Sequence, residues 1–111
     1  MTRHHILDAP EHYILDGHKP VPVKNLMLWA RWFEVGDRRV AVTDTDNGQV
    51  STVFLGIDHS FSEDGPPVLF ETMVFGGTLD GEQERYTTWE EAEAGHRKMV
   101  ERVKGEGDEG N

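Results

Sequence analysis

Residues 38–57 read RRVAVTDTDNGQVSTVFLGI, and this stretch decides the fold. Two runs rich in β-branched residues flank Asn47-Gly48, the dipeptide most typical of a two-residue turn, because both residues tolerate a positive φ. The stretch therefore predicts an antiparallel β-hairpin over 38–57. A turn centred on this dipeptide pairs Asp46 with Gln49, and this pairing sets the register of the whole hairpin.

Side chains along the predicted hairpin alternate between its two faces, and in this register Val42 lies opposite Val53 while Ala41 lies opposite Phe54. One face is apolar without interruption, so we expect it to be the core. Its residues are Val40, Val42, Val53, Leu55 and Ile57. The opposite face is half polar and is predicted to meet solvent or to form a site. Its residues are Arg39, Ala41, Thr43, Thr52, Phe54 and Asp58.

A second informative region lies near the C-terminus. Thr88-x-x-Glu91 is a capping box, a pairing that satisfies the free N–H groups at the start of a helix. The residues that follow recur at steps of three and four, as on one face of a helix. They are Trp89, Ala92, His96, Met99 and Val103. We therefore predict an amphipathic helix over 89–104, with Gly105 placed to end it.

The rest of the chain predicts one more helix and further strands. Residues 26–34 fit both helical and strand periodicity, and Asn25 as N-cap with Gly36 as a stop favours a short helix over 25–34. Residues 68–75 and 13–15 are rich in strand formers. We predict an α+β fold, in which a small antiparallel sheet of about three to four strands is covered on its apolar face by both helices.

The length and the net charge of the chain limit the kinds of protein that it can be. The chain has 111 residues, enough for one domain, and a formal net charge of −10. We expect a flexible arm over 1–12, a single domain over 13–104 and a disordered, acidic, glycine-rich tail over 105–111. The acidic balance argues against direct contact with nucleic acid or with an anionic membrane. No run approaches the ~20 apolar residues of a membrane span, so a cytoplasmic protein is expected.

Four segments resemble one protein family, small uncharacterised proteins of tailed phages and prophages. The segments are Trp29–Glu34, Ser51–His59, Pro67–Gly77 and Tyr86–His96, and the similarity spans roughly Tyr13 to Val103. The resemblance implies a phage setting, and therefore the cytoplasm of a host bacterial cell. It implies no activity, cofactor or catalytic residue.

Histidine is abundant, but its spacing does not indicate a metal site. None of the six histidines pairs with another at the helical or close-turn spacing of zinc ligands, and no nucleotide fingerprint is present, so neither metal nor cofactor is predicted. His96 lies on the predicted helix stripe. It is interpreted as a buried histidine bonded to the sheet, with contact to a ligand as the alternative.

Asp58-His59 follows a predicted strand directly, at a place where functional side chains often lie. The pair is a weak candidate for acid–base catalysis. Because consecutive strand residues point to opposite faces, capping of the loop is the favoured interpretation.

The aromatic residues favour a binding function. We expect that Trp29 and Trp32 cannot both face one core, so that one ring is exposed beside Arg31. A Trp with an Arg can stack on a base, clamp a phosphate or form a dimer interface, and plain packing in the core is the remaining alternative. The predicted ligand or interface residues are Trp29, Arg31, Trp32, Phe54, Arg85 and His96.

Three functions from different classes remain. The favoured one is a non-enzymatic, phage-type accessory protein that sequesters a nucleotide-like anion or blocks a host defence protein, and that forms a homo-oligomer. The second is an acidic mimic of DNA that occupies a nucleic-acid-binding protein. The third is a small hydrolase that uses Asp58 and His59, with Glu71 or His96 as further candidates.

Overall fold

The computed structural model describes residues 11–60 and 65–109, which form a two-stranded sheet, a four-stranded sheet and two helices. The α+β fold class is therefore confirmed. The elements are β1 (His12–Asp16), β2 (Lys19–Val23), α1 (Leu26–Val35), β3 (Arg39–Thr45), β4 (Gly48–Phe54), β5 (Phe70–Phe75), β6 (Gln83–Tyr86) and α2 (Trp89–Glu109). The larger sheet is antiparallel throughout, in the order β3-β4-β5-β6. Residues 1–10 of the predicted arm lie outside the described residues.

The small sheet is a hairpin formed by β1 and β2, whose turn contains Gly17 at a φ of +65°. Pro20 and Pro22 alternate along β2, so both missing N–H donors fall on one edge of the strand, the outer edge of a two-stranded sheet. The hairpin attaches to the chain beyond β4, where the N–H of Tyr13 donates to the carbonyl of Gly56 at 2.8 Å. An isolated antiparallel bridge between His12 and Ile57 adds to this attachment, and α1 packs against both strands of the hairpin.

The turn between β3 and β4 lies one residue earlier than predicted. Its central residues are Asp46 and Asn47, and Thr45 pairs with Gly48, which shifts the register by two residues. Gly48 adopts a φ of +136°, whereas no residue other than glycine has a positive φ in the described chain, so Asn47 does not supply the geometry that we expected. The Thr45 hydroxyl accepts from the N–H of Asn47 at 3.0 Å and donates to the carbonyl of Gly48 at 2.8 Å, which stabilises the observed turn.

The core lies on the opposite face of the hairpin from the predicted one. Thr52 and Phe54 are fully buried, whereas Val42 is 43% exposed and Val53 is half-buried. A shift of two residues keeps every side chain on its face, so the register error is not the cause. The cause is the docking of α2, whose buried stripe covers the face of Thr52.

The helix α2 begins as its capping box predicts. The Thr88 hydroxyl accepts from the N–H of Glu91 at 3.0 Å, and the Glu91 carboxylate accepts from the hydroxyl and N–H of Thr87 and from the N–H of Thr88. The Thr87 hydroxyl contributes most to holding the pKa of Glu91 below its ordinary value. Four stripe residues are buried, and they are Ala92, His96, Met99 and Val103. The helix continues through Gly105, the predicted stop, and ends at Glu109.

The helix α1 spans Leu26–Val35, one residue later than predicted at each end. Asn25 is its N-cap and accepts from the N–H of Leu28 at 3.0 Å. The N–H of Gly36 donates to the carbonyl of Trp32 at 2.6 Å and closes the last turn. None of the ten residues of α1 is buried, although most of them are apolar.

Candidate functional site

The most prominent polar feature is a chain of hydrogen bonds through the core, with one hydroxyl from each strand of the larger sheet. The imidazole of His96 joins the Thr43 hydroxyl through Nε2 at 2.9 Å and the Thr52 hydroxyl through Nδ1 at 2.8 Å. Thr52 is bonded to Thr72 at 2.5 Å, and the hydroxyl of Tyr86 donates to Thr72 at 3.0 Å. Thus α2 is tied to all four strands by side-chain hydrogen bonds.

This polar chain gives His96 a structural role. The side chain is only 5% exposed, and burial, with a smaller contribution from Arg97, lowers its pKa. A neutral imidazole has one donor and one acceptor nitrogen, and each nitrogen faces a hydroxyl that can do either. The interpretation of His96 as a buried histidine bonded to the sheet agrees with this geometry, since no ring nitrogen remains for a ligand.

The side chains of Asp58 and His59 both form hydrogen bonds with the backbone of the segment that follows β4. The Asp58 carboxylate accepts from the N–H of Ser60 at 2.8 Å and from the N–H of Val68 at 2.9 Å. The Nδ1 of His59 lies 2.8 Å from the carbonyl of Ile57. These bonds hold the loop and match the favoured capping interpretation; they do not join the carboxylate to the imidazole.

The structure brings Trp29 and Trp32 to the same side of α1, contrary to our expectation that one ring would be exposed. The Nε1 of Trp29 donates to the carbonyls of Tyr13 and Gly56 at 3.1 and 3.0 Å, while the ring of Trp32 packs edge-on against Phe54 at 5.7 Å. Both indoles are half-buried. Residues three apart on a helix are about 60° apart around its axis, so the two rings share one face.

The third indole, that of Trp89, lies where the β1–β2 hairpin meets α2. Its ring stacks on the imidazole of His18, with centroids 3.8 Å apart and planes 5° apart, and packs edge-on against Phe70 at 6.2 Å. Its Nε1 is buried and has no hydrogen-bond partner in the described structure. Trp89 therefore serves as a contact between elements.

The other predicted site residues do not converge. Phe54 is fully buried, so it belongs to the core rather than to a contact surface. Arg85 lies on β6 and pairs with Glu71 at 3.0 Å. Arg31 is exposed on α1, where it forms no ion pair or hydrogen bond with another described residue. The predicted set is therefore divided between the core, the sheet and α1.

Four of the six large apolar residues that are exposed in the described chain lie on α1, around the side that points away from the indoles. Two of its residues, Met27 and Val35, are 82% and 74% exposed, and Leu26 and Leu28 beside it are more than half exposed. We call this surface the outer face of α1; it consists of Met27, Ala30, Arg31, Glu34 and Val35, all of which are exposed. The sequence does not indicate this face, because the most prominent binding signal in α1 is its pair of tryptophans, which lie on the other side of the helix.

A shallow groove adjoins the outer face, and its lining comes from one element. Its residues are Asn25, Met27, Leu28, Arg31 and Trp32, all from α1 or its N-cap. A small-molecule site is normally concave and surrounds its ligand with side chains from several elements. This groove is open on one side, which suits a flat protein surface better than a small anion.

Comparisons with known proteins supply no relative: no family model, no curated protein and no solved structure matches the chain. Within residues 11–60 and 65–109, no group of three or more acidic, histidine or cysteine side chains is placed to hold a metal ion. No described helix is long and apolar enough to cross a membrane.

Proposed function

We propose that this protein is a non-enzymatic binding protein that acts through protein contact at the outer face of α1. The observation that carries the proposal is an apolar helix with no buried residue. Large apolar side chains clustered on one exposed element, with Arg31 and Glu34 among them, indicate an interaction surface. A partner that covered Met27 and Val35 would remove this apolar area from water.

Protein contact is better supported than sequestration of a nucleotide-like anion. The cation available at the α1 groove is Arg31, whereas Arg38 lies over the ring of Phe33 at 4.0 Å and donates to the carbonyl of Phe54 at 3.4 Å. An anion at the groove would thus meet one exposed guanidinium and several apolar side chains. That arrangement resembles the centre of a protein interface, where Arg and apolar residues occur together.

A binding role also fits the side chains that a hydrolase would use. The carboxylate of Asp58, the Nδ1 of His59 and both ring nitrogens of His96 are occupied by hydrogen bonds within the fold. Catalysis by these groups would require the loop or the core to give up bonds that stabilise it. For this reason we favour a binding protein over the hydrolase alternative.

The resemblance to small phage proteins supplies the setting of the proposal. In that setting the protein works in the cytoplasm of a host bacterium, where a host defence protein would be the target that it blocks. Its copies also associate with one another. The acidic mimic of DNA is less well supported, because it rests on the net charge of −10, and an acidic balance is common among soluble proteins.

Photo-crosslinking from the outer face of α1 tests the proposal. The photoreactive residue p-benzoylphenylalanine replaces Met27 in one variant and Glu101, an exposed residue of α2, in the control. We expect irradiation of bacterial cells to join the first variant, but not the control, to a protein at a defined mass, and Val35→Glu to abolish that product. Absence of any crosslink specific to position 27 would overturn the proposal.

A further inference from the structure

We infer that the partner that fits the outer face of α1 is a second copy of this chain, packed antiparallel about a twofold axis. The inference rests on the proposed contact surface and names its occupant. It is carried by the order of charges on this face, by the charge of the rest of the chain and by the size of the helix.

The outer face of α1 is complementary to itself in charge. Arg31 and Glu34 are exposed, three residues apart, and form no ion pair or hydrogen bond with another described residue. In an antiparallel helix pair whose twofold axis passes midway between them, Arg31 of one copy lies opposite the partner's Glu34, and symmetry repeats the pair. The same alignment sets Ala30 opposite the partner's Val35, so a small side chain meets a larger one.

The overall charge directs two copies to this face. The chain carries a formal charge of −10, so two copies repel each other over most approaches. The outer face of α1 holds one cation and one anion and is therefore neutral. Approach through this face brings opposite charges together instead of acids, which favours this orientation over others.

The size of α1 sets the strength of the expected dimer. Ten residues at ~1.5 Å each give a helix about 15 Å long, and a standard stable interface buries roughly 800 Å² on each partner. In the alignment described above only residues 30–35 of the two helices overlap, and Met27 lies beyond the end of the partner's helix, so the pair buries less than that. We therefore expect a reversible dimer whose population rises with protein concentration.

Sedimentation equilibrium from about 1 µM to about 1 mM tests the inference with charge-reversed variants. Wild type is expected to pass from monomer to dimer mass across this range. Arg31→Glu places two acids opposite each other at both symmetry-related pairs, and Glu34→Arg places two cations there, so each is expected to raise the dissociation constant about tenfold or more. The double variant exchanges the two charges and should return the constant to within about threefold of wild type, since attractive pairs form again.

Matched controls come from α2, where Arg97→Glu and Glu101→Arg reverse exposed charges away from the outer face. They should leave the dissociation constant unchanged. Thermal unfolding at low concentration should be nearly the same for all variants of Arg31 and Glu34, because neither side chain has a partner in the monomer. A monomer mass for wild type at every concentration, or a dimer whose constant does not respond to the single reversals, would overturn the inference.

Failure of this inference can be told apart from failure of the proposed function. If wild type stays monomeric while position 27 crosslinks to a different protein, the second copy is excluded and the contact surface stands. If position 27 gives no specific crosslink and the reversals change nothing, both proposals fall. A self-crosslink at twice the monomer mass, together with recovery in the double variant, supports both.

Discussion

The two helices use apolar residues in opposite ways. α1 is mostly apolar and buries none of its residues, whereas α2 is rich in charge and buries five residues in the part up to Gly105, which are Ala92, His96, Met99, Val100 and Val103. In α2 the buried residues recur at steps of three and four and meet the sheet together. In α1 three large apolar residues follow one another at 26–28, and successive positions lie about 100° apart, so they cannot share one face. Spacing, rather than apolar content, decides which helix enters the core.

The largest test of this contrast compares a core aromatic with an exposed apolar residue of α1. Phe54→Ala should lower the free energy of unfolding by about 3–5 kcal/mol, because it removes a fully buried ring and leaves a cavity against Phe70. Met27→Ala, at a side chain that is 82% exposed, should change it by less than about 0.5 kcal/mol in dilute solution. Urea unfolding followed by circular dichroism measures both. Equal losses would mean that α1 is buried in the monomer after all.

A smaller effect separates two glycines within α2. A methyl group at Gly95 would overlap the ring of Tyr86, whereas one at Gly105 would meet no neighbour. Gly95→Ala should therefore destabilise the fold by about 1–3 kcal/mol, since overpacking outweighs the gain in helix propensity. Gly105→Ala should instead stabilise it by about 0.5–1 kcal/mol. Thermal unfolding measures the melting temperatures of the two variants. If both melting temperatures rose, the packing of α2 on β6 would be contradicted.

The smallest expected effect is a pH dependence that comes from the polar chain in the core. Burial lowers the pKa of His96 in the folded state, so below about pH 6.5 the unfolded chain binds a proton that the folded chain does not. Stability should therefore fall as the pH drops below this value. Urea unfolding between pH 7.5 and 5.5 should show a shallower decline for His96→Gln than for wild type. A steeper decline in the variant would contradict the lowered pKa of His96 in the folded state.

Much of the fold could be predicted because the signals were local. The start of α2 follows from Thr88 and Glu91, which bond to each other's backbone within one turn, and the cap at Asn25 is equally local. The buried face of the hairpin could not be predicted this way. Thr52 and Thr72 look like surface residues in a strand pattern. Their burial is favourable because of partners far along the chain, His96 for Thr52 and Tyr86 for Thr72.

The candidate functional site shows the same difference between local signals and contacts that involve distant parts of the chain. The roles of His96 and Asp58 agree with the interpretations that hydrogen-bonding needs favoured. The outer face of α1 could not be predicted, because its exposure depends on which elements pack against the helix, and no local pattern encodes that. Arg31 was singled out for its neighbouring tryptophan, yet it points to the side of the helix where the indoles are not.

The row of hydroxyls across the larger sheet also limits how its strands can slide. A slip of two residues between β4 and β5 would keep Val50, Phe54, Phe70 and Val74 on their face, so the alternation of apolar side chains does not forbid it. The same slip would set Thr52 opposite an apolar residue and would leave an imidazole nitrogen or a buried hydroxyl without a hydrogen-bond partner. Burial of apolar side chains alone would allow several alignments of these strands. The hydrogen bonds among three threonines, one tyrosine and one histidine favour a single alignment.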